Sequence, residues 1–286
     1  MTVKELAALA GVSPATVSLV LNGKKGVSEE KRKEILKLVE DNRYRHQKRN
    51  DAGTRNILFI KYSRDGVILE ENTNFVSAIM DGAEMECQQQ NFHITMCEGN
   101  LAETLESFDY SNFYGIMILG TELGEEDYPV LEKIPIPYVI VDNSMPHFDC
   151  NCVAIDNKEN VFKAIQHFVR QGGDQIGYFG SNVKIQNFIE REQGFFEALE
   201  YFDVKVSEDN VFSVPPTMLG AFEQTQRYIE AGRRIPPCIF VDNDTMTIGV
   251  MKALNIADYA VPEDVSVIGF DDITFCTIYS PTISTI

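Results

Sequence analysis

Three polar residues stand at the ends of apolar runs, and they are the residues best placed for chemistry in this chain. Asp142 ends the run YVIVD, Asn243 follows CIFVD directly, and Asp271 is the first of an Asp pair after VSVIGF. Arg191, in a helical stretch, offers a planar fork of N–H donors. Acceptors of this kind facing one fork suit a hydroxyl-rich ligand held against an apolar or aromatic wall. The same four residues could instead serve as internal salt bridges or helix caps. Bond-making chemistry has little support. There is no GxGxxG, no P-loop and no GxSxG. His93 and His167 sit within apolar patterns, His147 in a loop and His46 in a linker. The cluster Asp242-Asn243-Asp244 lacks the Gly and Glu of a calcium loop. Cys87, Cys97, Cys150, Cys152, Cys238 and Cys276 include no CxxC pair and give neither a zinc nor a disulfide pattern. The expectation is a binding protein, not an enzyme, with no metal and no cofactor.

A second chemistry is encoded at the amino terminus, where residues 3–23 read VKELAALAGVSPATVSLVLNG. Thr2, with Glu5 three residues on, forms a capping box. Leu6, Ala7, Leu9 and Ala10 fall on one helical face. Gly11 permits a sharp turn because it has no Cβ to clash, and Val12 plugs the corner. Ser13 caps a second helix that Pro14 opens, where a missing N–H costs nothing. Val17, Val20 and Leu21 face inward, and Asn22-Gly23 tolerate the positive φ of a helix end. A third helix begins at the Ser28 cap and buries Ile35, Leu36 and Val39. This is the layout of a helix-turn-helix, which lays its second helix in the major groove of double-stranded DNA. A helical hairpin with no DNA role is the alternative.

The charge distribution decides how that motif fits an acidic chain of net charge −18. Up to Arg55 there are twelve Lys and Arg against seven Asp and Glu, a net of +5; after it the balance is 13 against 36, a net of −23. The cations include Lys24, Lys25, Lys31, Arg32, Lys33, Arg43, Arg45, Lys48 and Arg49. Clustered cations neutralise phosphates and make affinity salt-dependent. The acidic remainder keeps DNA contact confined to the head. The 286 residues allow two or three domains. No apolar run has transmembrane length and no signal peptide precedes the first helix, so a cytoplasmic protein without a membrane partner is expected.

From Asn56 the pattern alternates between strand and helix. Strand-like runs begin at Ile57, Phe92, Gly115, Tyr138, Cys152, Gln175, Val211, Cys238 and Val265, with helical stretches at 75–90, 158–171, 188–201, 219–231 and 245–255. Continuous apolar strands alternating with amphipathic helices predict an α/β fold with parallel sheets covered on both faces. The strand count points to two sheets, with the chain crossing between them in the loop 142–152. Two such subdomains leave a ligand cleft at the carboxyl ends of their strands.

The head resembles the DNA-binding domain of the lactose-repressor (LacI/GalR) family of bacterial transcription regulators, and the remainder is similar to that family's periplasmic-binding-protein-like core. The supporting stretches are VSPATVSLVLNG in the head, IEREQGFFEAL at 189–199, FVDNDTMTIGVMKAL at 240–254, and VPEDVSVIGFDD at 261–272 with SPTISTI at 280–286. The resemblance implies a helix-turn-helix domain over 1–46, a basic linker over 47–55 and an effector-binding core of two α/β subdomains over 56–286. It also implies a homodimeric regulator, a repressor, whose operator affinity is set allosterically by a small ligand such as a sugar. A sugar-binding module without DNA-dependent regulation is the alternative.

Residue by residue, the resemblance places Pro14, Ala15 and Leu19 where the family reads base edges. Being apolar, these can meet a thymine methyl but cannot make bidentate hydrogen bonds. Thr16, Ser18 and Asn22 match phosphate-contacting or register-setting positions, and Lys24, Lys25, Ser28 and Lys31 complete the expected DNA face. In the core it implies Arg191 as the donor fork, Asp271 as the hydroxyl acceptor and Asn243 as a second acceptor. Asn74 and Phe75 fall at the start of the first cleft helix, where Phe75 would pack on the ligand. The aromatic expected after VFSV is replaced by Pro215-Pro216. The stretch 44–56, YRHQKRNDAGTRN, lacks the family's Tyr-x-Pro start and the Leu that wedges into the minor groove. Its cations Arg45, Lys48, Arg49 and Arg55 would follow the DNA backbone or enter a narrow minor groove, or belong to a flexible basic linker. Family members continue beyond the PTISTI stretch, so a fragment or a naturally short member is expected.

Overall fold

The structure, a computed structural model, describes residues 3–21, 26–41, 55–64 and 73–286. The chain divides into two compact units, Met1–Thr54 and Arg55–Ile286. In the first, α1 (Val3–Leu9), α2 (Pro14–Leu21) and α3 (Glu29–Asp41) pack together. Leu6, Ala7, Ala10, Val17, Val20 and Ile35 form the core, flanked by Val12, Leu21, Val27, Leu38 and Val39. Gly11 holds φ +63 in the turn. The Ser13 hydroxyl accepts from the Thr16 N–H at 3.1 Å, and the Ser28 hydroxyl from the Lys31 N–H at 3.4 Å, as caps should. Two expectations fail. Leu9 is 60% exposed and Leu36 41% exposed. The buried stripe of α1 runs through Leu6 and Ala10, one turn apart, with Ala7 beside it; Leu9 falls to the flank. On α3 the stripe is Ile35, Leu38 and Val39, so Leu36 points away. The capping box at Thr2, the helix end at Asn22-Gly23 and residues 42–54, which include all of the expected linker 47–55 but Arg55, lie outside the described residues.

The second unit holds two parallel sheets. The first comprises β1 (Asn56–Tyr62), β2 (His93–Gly99), β3 (Gly115–Leu119), β4 (Tyr138–Val141) and β5 (Asn151–Val153), in the order β2-β1-β3-β4-β5. With it go α4 (Thr73–Gln89), α5 (Leu101–Glu106) and α6 (Tyr128–Leu131). The second sheet comprises β6 (Ile176–Ser181), β7 (Val211–Val214), β8 (Cys238–Val241) and β9 (Ser266–Ile268), in the order β7-β6-β8-β9. The helices α7 (Asn157–Arg170), α8 (Gln186–Tyr201), α9 (Met218–Glu230), α10 (Asp244–Ile256) and α11 (Phe275–Ile278) accompany it. All sheet pairings are parallel. β6 is buried at every residue, which is why its sequence shows no alternation. Separate apolar clusters cover the two faces of the second sheet. One contains Phe179, Phe212, Val241 and Met246; the other contains Tyr178, Phe195, Phe240 and Phe270.

The crossing between sheets is not in the loop 142–152. That loop only joins β4 to β5, which pairs with β4 through Asn151, Cys152 and Val153. The chain changes sheet after Val153, within three residues, and Asp156 then caps α7 by accepting from the Glu159 N–H at 3.2 Å. No helix among the described residues is long and apolar enough to cross a membrane.

Candidate functional site

α2 presents a clean division of faces. Val17 and Val20 are buried, Leu19 and Thr16 half-buried, and Pro14, Ala15 and Ser18 exposed. The Thr16 hydroxyl also bonds the Ser13 hydroxyl at 2.9 Å. On α3, Lys31 is engaged by Glu34 at 2.7 Å, and its charge is shared internally. Asn22, Lys24 and Lys25 lie outside the described residues, as do Arg43, Arg45, Lys48 and Arg49. Arg55 donates to the Gln90 carbonyl at 3.3 Å and so ties to its own unit.

The candidate cleft forms where strand ends from both sheets converge. Asp142 follows β4, Asp242 and Asn243 follow β8, and Asp271 follows β9 after Phe270. Helix α8 runs past them and supplies Asn187, Phe188 and Arg191 from one face at i, i+1 and i+4. The cavity is lined by Phe75, Val76, Thr121, Asp142, Ile185, Asn187, Phe188, Arg191, Asn243 and Asp271. Five of the six residues expected there, all but Asn74, are thus brought together. Asn74 is exposed and is not among the lining residues. It precedes Phe75 on α4, and one residue turns a helical side chain about 100° away.

Arg191 is almost fully buried and stacks on the Phe270 ring, its guanidinium carbon 3.7 Å from the ring centroid. Nε donates to Asn157 Oδ1 at 2.9 Å, one terminal nitrogen donates to the Asp242 carbonyl, and the other to Asp271 Oδ1 at 3.0 Å. Asn157 is the hinge of this network. Its amide donates to Asn187 Oδ1 at 3.1 Å and to Glu190 Oε2 at 2.8 Å. Asn187 in turn donates to Asp142 Oδ1 at 3.0 Å, and Thr121 Oγ1 donates to Asp142 Oδ2 at 2.6 Å. Asp142 adopts φ +65, a conformation Asp tolerates better than most residues. Ser144, two residues later, donates to Glu190 Oε1. The first subdomain's loop is therefore bonded to α8 twice, at Asp142 and at Ser144.

Burial pushes the Asp142 carboxyl up to about 6, against the pull of Thr121 and Arg191. Asp242 is likewise pushed up to about 6 by burial, although it accepts from the Tyr178 hydroxyl and the Ser181 N–H. Burial also raises Asp271, partly offset by the Arg191 charge beside it. Asn243 caps α10, its Oδ1 accepting from the Met246 N–H at 2.9 Å. It lines the cavity in addition to that structural task.

Sequence reading missed Thr121, Asn157, Asn187 and Phe188. Thr121 lies two residues past β3, a position resembling that of Asp142 past β4, and that parallel was a usable signal. The other three needed the packing of α7 against α8. Phe75 and Phe188 are the aromatic residues that line the cavity, while Phe270 lies buried beneath Arg191.

Comparisons with known proteins agree with this division into a head and an α/β core. Residues 2–47 match the family described as bacterial regulatory proteins, lacI family, and residues 165–286 match the periplasmic binding protein-like domain. The chain is 28% identical over 299 residues to the HTH-type transcriptional repressor PurR of Vibrio atlanticus (strain LGP32), covering 100% of this chain and 86% of that protein. The PurR repressor of Mannheimia succiniciproducens is 26% identical over 297 residues, with coverage of 100% and 86%. In fold, the chain is similar to the transcriptional regulator CelR in a cellobiose complex, with a TM-score of 0.70, 23% identity and coverage of 100% and 87%. It is also similar to the lac repressor dimer bound to operator and the anti-inducer ONPF, with a TM-score of 0.69, 21% identity and coverage of 100% and 86%.

Proposed function

We propose, for a chain that joins a lacI-family regulatory head to a periplasmic-binding-protein-like core, that it is a DNA-binding transcriptional repressor whose operator affinity follows effector seating in the core. The observation that carries this reading is the single polar network that runs from Asp142 through Asn187, Asn157 and Arg191 to Asp271, joining strand ends of both sheets by way of α7 and α8. A ligand bonded to it touches both subdomains at once, so its binding energy bears on their relative position. The coupling to DNA is reciprocal: an effector that weakens operator binding is itself bound less tightly by the DNA-bound protein.

The effector is a neutral, hydroxyl-rich molecule such as a sugar. Arg191 already offsets Asp271, which leaves the Asp142 carboxylate as excess negative charge. Anionic ligands are repelled by that charge, while hydroxyls can donate to it. Phe75 and Phe188 provide the flat apolar wall. In the head, Pro14, Ala15 and Leu19 meet base edges, and Thr16, Ser18, Asn22, Lys24, Lys25, Ser28 and Lys31 meet phosphates or set register. Two heads in a homodimer would address half-sites about 34–36 Å apart. Leu219, at 64% exposure, and Ile278, at 70%, are apolar surface suited to such an interface.

The test has two arms on the full chain. Duplexes selected from a random pool should bind in a gel shift, and Thr16→Ala with Asn22→Ala should weaken binding at least tenfold; unchanged affinity would overturn the head assignment. A thermal-shift screen should show stabilisation by neutral sugars and none by sugar phosphates. A hit that Asp271→Asn binds as well as the unaltered protein would overturn the cleft assignment.

A further inference from the structure

We propose that Cys150 and Cys152 form a peroxide-sensitive dithiol, whose closure to a disulfide loosens the loop 142–150. The pair sits i, i+2 at the start of β5, whose three residues are all exposed at the edge of the first sheet. Cys152 stands opposite Ile140 in the parallel register, so both side chains lie on one face of the sheet. Ile140 belongs to the apolar cluster on that face, and Cys150 packs against the same cluster. Both sulfurs therefore share a side. Two residues apart in extended chain, Cα and Cβ atoms alike are roughly 6.4–6.8 Å from each other, within the Cα reach of a disulfide but beyond its usual Cβ separation, so closure requires the backbone to bend further at Cys150, which precedes β5 in a bend. A bridge closed in this way is strained, and strained, exposed disulfides are the readily reduced ones.

The two thiols differ in a way that fits sequential oxidation. Cys152 is exposed and open to a small oxidant, whereas Cys150 is half-buried. Burial, together with Cys152 and Asp149, pushes the Cys150 thiol up, which makes it the poorer first nucleophile. No group of three or more His, Cys, Asp or Glu among the described residues is placed to hold a metal, so the pair lacks the further ligands of a zinc site. The chemistry left to two thiols is two-electron oxidation. The Cys152 thiolate attacks one oxygen of hydrogen peroxide; the O–O bond breaks, and the other oxygen leaves as water once protonated. The Cys150 sulfur then attacks the sulfenic sulfur of Cys152, forming the S–S bond and releasing a second water. Two thiols and one peroxide become one disulfide and two waters.

The structural consequence follows from one hydrogen bond. The Cys152 thiol donates to the Ser144 carbonyl at 3.5 Å, and a disulfide sulfur has no proton to donate. Ser144 is also the residue whose hydroxyl reaches Glu190 on α8. Oxidation thus removes one of the two supports of Ser144.

The experiment treats the full chain with hydrogen peroxide, blocks free thiols with iodoacetamide, reduces, relabels and maps peptides by mass spectrometry. The peptide holding Cys150 and Cys152 should lose both alkylatable thiols together, at lower peroxide than Cys87 or Cys238, and dithiothreitol should restore them. In Cys150→Ser, Cys152 should be trapped as a sulfenic acid by dimedone. Amide hydrogen exchange across 142–150 should become several-fold faster on oxidation of the unaltered protein and stay unchanged in Cys150→Ser. Direct passage of Cys152 to sulfinic acid while Cys150 still alkylates would overturn the pairing. Exchange that is indifferent to oxidation would overturn the effect on the loop.

Discussion

Three buried aspartates give the core an unusual response to pH. Asp142, Asp242 and Asp244 are each held near 6 by burial, against an ordinary value of 3.8. Between those values the folded core binds more protons than the unfolded chain. Stability contributed by these groups is therefore greatest at the acid side, falls as pH rises through the window, and levels off above about 6. Each carboxyl costs the neutral-pH fold on the order of 3 kcal/mol. Asp242→Asn should flatten the decline of the core's melting temperature between about pH 4.5 and pH 7; a slope equal to that of the unaltered protein would remove Asp242 from this account. Arg191 acts in the opposite sense. Its charge pulls on Asp142, Asp242 and Asp271 alike, so Arg191→Met should cost several kcal/mol, about 3–5 for breaking a buried pair. Urea unfolding of the core measures that loss, and a change below about 1 kcal/mol would contradict the network as described.

At the level of elements, the alternation of strand and helix was legible because each buried strand is a short apolar run and each covering helix carries a periodic stripe. Strand starts at Gly115, Tyr138, Val211 and Cys238 were read correctly for that reason. The short helices α5, α6 and α11 escaped because four to six residues are too few to show a period. The misplaced crossing has a similar cause: β5 is three residues long and exposed, so nothing apolar announces its sheet. Asn157 could not be read as a site residue, since an Asn at a helix start reads as capping chemistry until α8 is seen beside it. One tight contact between elements yields a sharp prediction. A Cβ at Gly249 of α10 would overlap the Met218 carbonyl oxygen at the start of α9 and approach the Phe222 nitrogen at 2.9 Å. Backbone cannot yield there as a side chain can. Gly249→Ala should destabilise the core by about 1–3 kcal/mol or more, read as a lower melting temperature with DNA affinity retained below it. An unchanged melting temperature would mean that α9 and α10 do not pack this closely.

At the level of the whole molecule, a head of net charge +5 is carried by a remainder of −23. Binding to duplex DNA should then depend steeply on salt, with affinity falling by roughly 10³-fold or more between 50 and 200 mM if six or more phosphates are neutralised. A flat salt response in a titration of the full chain would mean that the head makes few phosphate contacts. The ring of bonds through Asn157 bears on how this protein could come to answer a different molecule. Asp142, Asn157, Asn187, Glu190 and Arg191 share partners, so replacing any one leaves a buried polar atom of another unsatisfied. Phe75, Val76, Ile185 and Phe188 face the same space with only apolar surface at stake. A library restricted to those four positions should yield variants with altered ligand preference and intact folding, whereas one spread over the five interlocked residues should yield mostly unfolded chains. The route to a new preference runs along the wall of the cleft, while its polar floor stays as it is.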